Sequence, residues 1–312
     1  MVCNTELCYQ VIIHAKENPE EGIKRFNFTD HLRNQLEFGP IFNKKFLKEV
    51  LKLQQKIEDL DFKYKESDGV EHTYKLNKGQ TYIFFAVSHL NCFLSVCNKP
   101  LSPEIDKCNI QNVLAYWQDD EALIEKVKFD PEGNDGGVPR TWNYLDHFLA
   151  CANNPTLPAN SDKLNIGCMS KWGGPVQPYY SLGGFIPKGQ SFPENPEYHK
   201  ADAVVISIIN DNFDPKSQDP VDIRGLERAA EWEKVFVEFM HEWEASEKPV
   251  YMEIAFNSER SIEDELDKET YGDIVTIGKK NKPGTTFLSK YIFSHFLHHY
   301  VRVHHVQLGP DQ

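Results

Sequence analysis

The order of apolar and polar positions divides the chain into strand-like and helix-like stretches. "LCYQVIIHA" (Leu7–Ala15) is apolar and β-branched and predicts a buried strand. "IFNKKFLKEVLKLQQKIEDL" (Ile41–Leu60) places Phe46, Val50, Leu53, Ile57 and Leu60 three and four apart. That spacing predicts an amphipathic helix with one packed face. "CNIQNVLAYWQDDEALIEKV" predicts a second helix from near Asn109, and "FDPEGNDGGVPR" (Phe129–Arg140) a turn-rich loop. Further on, "ADAVVISIIN" (Ala201–Asn210) is apolar throughout, as a central strand would be. In "LERAAEWEKVFVEFMHEW", Leu226, Ala229, Val235, Phe236, Phe239, Met240 and Trp243 share one helical face. "PVYMEIAFN" then alternates, with Tyr251, Glu253 and Ala255 facing away from Met252, Ile254 and Phe256. Strand, long helix, strand predicts a βαβ crossover. Together the elements predict an α+β open sandwich, with helices packed on one face of a mixed sheet.

Composition narrows the class. At 312 residues with 40% hydrophobic content, the chain can bury a substantial core. The net charge of −13 is unevenly placed: Lys279, Lys280, Lys282, Lys290 and Arg302 face a single Asp311 after Gly278. The acidic excess therefore belongs to the chain before the tail, and such a body is repelled by phosphate backbones. Nucleic acid is not an expected partner. Met1–Gln10 shows no basic segment followed by an apolar one, so no signal peptide is visible there. The most apolar stretch, Tyr82–Val96, is interrupted by Ser88, His89 and Asn91 and falls short of the ~18 apolar residues a span needs.

None of the seven cysteines forms a C-x-x-C. Two pairs flank turn-rich loops, Cys97 with Cys108 and Cys151 with Cys168, and would staple them if bonded; buried free thiols are the alternative. Each bond would contribute about 3 kcal/mol and would imply an oxidising compartment.

The chemistry-bearing motifs are thin. "HEWEA" at His241 lacks the second histidine of a zinc helix, and neither a nucleophile elbow nor a Walker loop is present. The glycine pairs of "WGGPVQPYYSLGGF" read as turns. Ser261 and Asp264 fit a capping box within the acidic run Glu259–Glu269. His295, His298 and His299 share a possible helical face without a scaffold around it. No metal, no cofactor and no enzyme activity are expected.

Several strings taken together resemble one family. "FGPIF", "LKLQQKIEDL", "CNKPLSPEIDKCNIQNVLAYWQ", "DHFLAC", "WGGPVQPYYSLGGF", "RAAEWEKVFVEFM" and "AFNSERSIEDELDKETYGDI" are similar, in order, to the middle luminal domain of the Niemann-Pick C1 family of cholesterol transporters. The resemblance covers most of Leu7–Ile274. Two stretches depart from it: Tyr74–Val96, an atypical insertion, and the basic, histidine-rich tail 278–312, expected to be poorly ordered. The domain-like part is thus 1–277.

The resemblance implies a luminal docking module and not a catalyst, with a lysosomal or endosomal setting inside a membrane protein. Its implied partners are a small soluble sterol carrier of the Niemann-Pick C2 type and the other luminal domains of the parent transporter, sterol being handled only indirectly. The family's contacts come from two protruding loops. One corresponds to "KRFNFTDHLRNQLEFG", with Phe26 and Phe28 as exposed aromatic candidates. The other lies near "GGVPRTWNYLDHF", where Val138 and Pro139 stand in place of the family's adjacent phenylalanines and Trp142 and Tyr144 are the nearest aromatics. Core packing is the competing role for Trp142 and Tyr144. Asn27 heads an N-x-T sequon, a glycosylation site if the chain enters the secretory pathway. Two other readings stand beside this one: a truncated, secreted decoy of the same family, and a hydrolase built on no recognised motif.

Overall fold

The computed structural model describes residues 8–66, 69–75, 110–132, 138–209 and 218–258. In chain order these hold β1 (Cys8–Ala15), β2 (Phe26–Thr29), β3 (Gln35–Phe38), α1 (Lys44–Glu58), β4 (Asp61–Lys65), β5 (Glu71–Lys75), β6 (Ile110–Gln111), α2 (Glu121–Glu125), β7 (Lys128–Asp130), β8 (Arg140–Trp142), α3 (Tyr144–Asn153), α4 (Pro178–Ser181), β9 (Leu182–Gly183), β10 (Ala203–Ile209), α5 (Pro220–Ser246) and β11 (Met252–Asn257).

The main sheet runs β11-β1-β10-β6, with β9 also pairing β10. Every neighbouring pair is antiparallel. Because β10 and β11 both oppose β1, they run in the same direction, and α5 makes the crossover expected from the strand–helix–strand pattern. β10 is the central strand, with β1 on one side and β6 and β9 on the other. β1 was expected to be buried, yet only one of its faces is. Tyr9, Val11, Ile13 and Ala15 are at most 3% exposed, while Ile12 on the opposite face is 43% exposed. The period of two puts alternate side chains on opposite faces, and the helices cover only one. The α+β open sandwich holds.

That covered face packs against α1 and α5 in one continuous core. α1 begins where the Asn43 side chain accepts from Lys45 N at 2.9 Å, and it buries Phe46, Leu47, Val50, Leu51, Leu53, Gln54 and Ile57. On α5, Trp232 and Phe236 lie 4.9 and 6.0 Å from the Tyr9 ring, centroid to centroid. The buried stripe thus serves packing. In β11 the alternation is as read from the sequence, except that Tyr251, just before the strand, is itself buried.

The helix expected from near Asn109 forms only as the short α2 at Glu121–Glu125, and not before it. Ile110–Gln111 joins the sheet, Val113–Trp117 makes a tight 3-10 helix, and left-handed Gln118 and Asp119 (φ 54° and 47°) end it. All five residues from Val113 to Trp117 are buried, so the segment has no polar face to give an amphipathic helix. Gln54 of α1 anchors it, accepting from Asn112 Nδ2 at 2.8 Å and donating to Asp119 Oδ1 at 3.1 Å. The turns expected at the glycine pairs are present, with Gly173 and Gly184 at φ 89° and 77°.

Cys151 and Cys168 form a disulfide, their Cα atoms 5.3 Å apart. Cys97, Cys108, most of the insertion 74–96, the acidic run Glu259–Glu269, the histidines at 295, 298 and 299 and the tail 278–312 lie outside the described residues. Tyr74 and Lys75 close β5. Among the described residues, no helix is long and apolar enough to cross a membrane.

Candidate docking surface

The loop "KRFNFTDHLRNQLEFG" folds as a hairpin. β2 and β3 pair Phe26 with Phe38, Asn27 with Glu37, Phe28 with Leu36 and Thr29 with Gln35. The turn between them is built on Asp30, a buried carboxylate. Its Oδ1 accepts from Leu32 N at 2.9 Å and Asn34 N at 2.7 Å, and its Oδ2 from Asn34 Nδ2 at 2.9 Å. Such an Asx turn replaces strand pairing with side-chain hydrogen bonds and fixes a tight reversal. Arg33 takes the left-handed conformation the reversal needs, at φ 67°. Leu32 is left at the tip, 59% exposed.

Phe26 and Phe28 are not at that tip. Both are half-buried, Phe26 stacked 5.9 Å from the Phe38 ring and Phe28 edge-on at 5.6 Å. They form the inner face of the hairpin, and the strand alternation turns Asn27 and Thr29 outward. The hairpin is held at its base to the segment that leads into β10. Gly39 N donates to His199 O at 2.8 Å, and a side chain at Gly39 would run into the Ala201 carbonyl, with a Cβ only 1.8 Å from its oxygen.

The second loop is also a hairpin. β7 and β8 pair Lys128 with Trp142, Phe129 with Thr141 and Asp130 with Arg140. Phe129, at 63% exposure, faces solvent, as do Val138 at 52% and Pro139. Trp142 points the other way. It is buried against Leu164 and Ile166 in a small satellite core, so it is not an exposed anchor. Tyr144 is buried as well, donating its hydroxyl to Phe42 O at 2.8 Å, and burial pushes the phenol pKa up. These two corrections share a cause: an amphipathic aromatic beside a disulfide loop finds more area to bury than a loop tip offers.

Arg140 joins the two hairpins. Its Nη1 donates to Asp30 O at 2.6 Å, its Nη2 donates to Asp146 Oδ1, and its guanidinium lies 5.8 Å from the Phe28 ring and 5.2 Å from the Trp142 ring. His31 adds a ring contact to Trp142 at 5.7 Å. Asp146 also caps α3, its Oδ2 accepting from Asn143 N at 3.0 Å. Burial pushes the Asp146 carboxyl above its usual range, against the opposing pull of the Asn143 N–H and Arg140.

Leu32 and Phe129 are exposed apolar residues of the two hairpins that sequence reasoning missed. The signal was there: Phe26 and Phe28 alternate with polar residues, as do Leu36 and Phe38, and that pattern predicts one inward face with the turn between outside it. A second grouping, His147 with Cys151 and Cys168, brings three potential ligand atoms within 4.8 Å of one another. It cannot serve as a thiolate metal site, because the two sulfurs are bonded to each other.

A family model described as "NPC1, middle luminal domain" matches residues 8–260. The chain belongs to this family. The chain is 27% identical over 82% of its length to NPC intracellular cholesterol transporter 1 homolog 1b of Drosophila melanogaster. It is 30% identical over 77% of its length to NPC intracellular cholesterol transporter 1 of Sus scrofa, and 25% identical over 80% to NPC1-like intracellular cholesterol transporter 1 of Rattus norvegicus. The chain spans only 17%, 15% and 16% of the lengths of these relatives. The resemblance carried by the sequence strings is thereby borne out.

Proposed function

We propose that this middle luminal domain is a docking platform of a membrane-embedded cholesterol transporter. It presents its two hairpins to a small soluble sterol carrier of the Niemann-Pick C2 type, in the lumen of a lysosome or endosome. The observation that carries the reading is the exposure of Leu32 in the turn of one hairpin and of Phe129 and Val138 on the other, the two hairpins being joined by Arg140. Large apolar side chains held out in water are covered favourably by a partner, and Leu32 is presented on a turn already fixed by Asp30, so that its docking loses little entropy. The names of the relatives, cholesterol transporters all three, support the sterol setting. On this reading the domain handles sterol only through its partner and performs no catalysis.

The test is calorimetric titration of the domain with the carrier. Leu32→Asp and Phe129→Asp should each weaken binding by about 2 kcal/mol or more, roughly thirtyfold. Affinity unchanged in both variants, with folding intact, would remove the hairpins from the interface.

A further inference from the structure

Most of the contacts around Arg140 concern position and not exposure. The side chain is 19% exposed, and the Asp146 side chain it meets is 1% exposed. One guanidinium therefore reaches three separately built pieces: the Asp30 turn that carries Leu32, its own strand β8 beyond Val138 and Pro139, and the capped start of α3. A planar fork with several fixed donors can grip a carbonyl and a carboxylate at once; an ammonium is a point charge and cannot hold both in one geometry.

We propose that Arg140 is the positioning residue of the docking surface: by holding the Asp30 carbonyl and the Asp146 carboxylate together, it fixes the turn that carries Leu32 relative to β8, the strand that follows Val138 and pairs with Phe129. This rests on the docking reading above. Arg140 itself is mostly covered and contributes little direct contact. Its loss lowers the fraction of molecules whose two hairpins are correctly placed, and apparent affinity falls by that fraction. A change of that kind appears in the association rate. Loss of a contact residue appears in the dissociation rate.

The experiment measures association and dissociation rates of the full chain with the sterol carrier for Leu32→Ala, Phe129→Ala, Arg140→Met and Arg140→Lys. The first two are expected to raise the dissociation rate, and Arg140→Met to slow association by about tenfold with dissociation within about twofold. Arg140→Lys is expected to fall between wild type and Arg140→Met, and it decides the matter if the methionine variant does not fold. Wild-type association rates in both Arg140 variants, or a change confined to dissociation, would overturn the positioning role. If the Leu32 and Phe129 variants bind as wild type, the docking reading fails instead. Amide exchange at Leu32 and Asn34, whose N–H groups bond Asp30, then judges Arg140 without a partner. Faster exchange in both variants upholds the positioning role, and unchanged exchange refutes it.

Discussion

His147 and Asp162 form a buried pair that ties the disulfide-closed loop to α3, with Nδ1 3.1 Å from Asp162 Oδ1 and the side chains 0% and 5% exposed. The other ring nitrogen, Nε2, lies 2.7 Å from Tyr116 O, so both ring nitrogens face acceptors. Asp162 Oδ2 accepts from Leu164 N at 2.9 Å and Ile166 N at 3.3 Å. Asparagine at 162 cannot replace this arrangement, because one oxygen and one amide cannot accept on both sides. Asp162→Asn should cost about 3–5 kcal/mol, as breaking a buried pair does. Urea unfolding checks it, and a loss below about 1 kcal/mol would show that the pair contributes little.

Acid should act on two buried carboxyls in opposite directions. Burial raises the Asp162 pKa, but the hydrogen bond and charge of His147 and the Leu164 and Ile166 N–H groups overcome it and hold the value below its usual range. Its contribution is present above the unfolded value of about 3.9 and lost as pH falls through the lower folded value. Asp146 has the reverse sign: burial raises it, so ionisation is disfavoured in the fold and stability rises as pH falls through the raised value toward about 3.9. Urea midpoints measured across this window should therefore rise with acidity in wild type more than in Asp146→Asn. Superimposable profiles would remove Asp146 from the account.

Much of the sheet and its covering helices was legible in the sequence. β10 reads as a run of β-branched residues, β11 as strict alternation, and α1 as apolar residues three and four apart. Cys151 and Cys168 could be paired because a short, turn-rich loop separates them. What failed depended on partners distant in sequence. Val113–Trp117 reads as a helix until the Gln54 side chain from α1 and the left-handed Gln118 are placed beside it. The two segments singled out in the sequence do fold as paired strands, but exposure within them was assigned to aromatic residue type. Trp142 could be recognised as core only through Leu164 and Ile166, and Leu32 as the tip only through the Asp30 turn.

Burial and exposure in the second hairpin should separate cleanly in unfolding experiments. Trp142, 7% exposed, packs on Leu164 and Ile166, and its truncation leaves a cavity those residues cannot collapse into. Trp142→Ala should destabilise by about 3–5 kcal/mol. Val138→Ala, at an exposed position, should stay within about 0.5 kcal/mol of wild type. Equal stabilities for the two variants would contradict the assignment of Trp142 to the core.

Asn27 should carry an N-linked glycan when the chain is made in a secretory host. The sequon Asn27-Phe28-Thr29 lies in β2, where the alternation points Asn27 and Thr29 to solvent and Phe28 inward. Thr29 Oγ1 accepts from Gln35 Nε2 at 2.8 Å on the exposed side of the hairpin. A sugar on Asn27 would extend from the face opposite Phe26 and Phe28, leaving their packing on Phe38 undisturbed. Glycosidase treatment of secreted protein should increase its gel mobility, and Asn27→Gln should abolish the shift. Because the glycan displaces no core contact, treated and untreated protein should unfold within about 0.5 kcal/mol of each other, as surface changes do. A mobility unaltered by the enzyme would show the sequon unused, and a large stability change on removal would mean the glycan covers apolar surface on the hairpin.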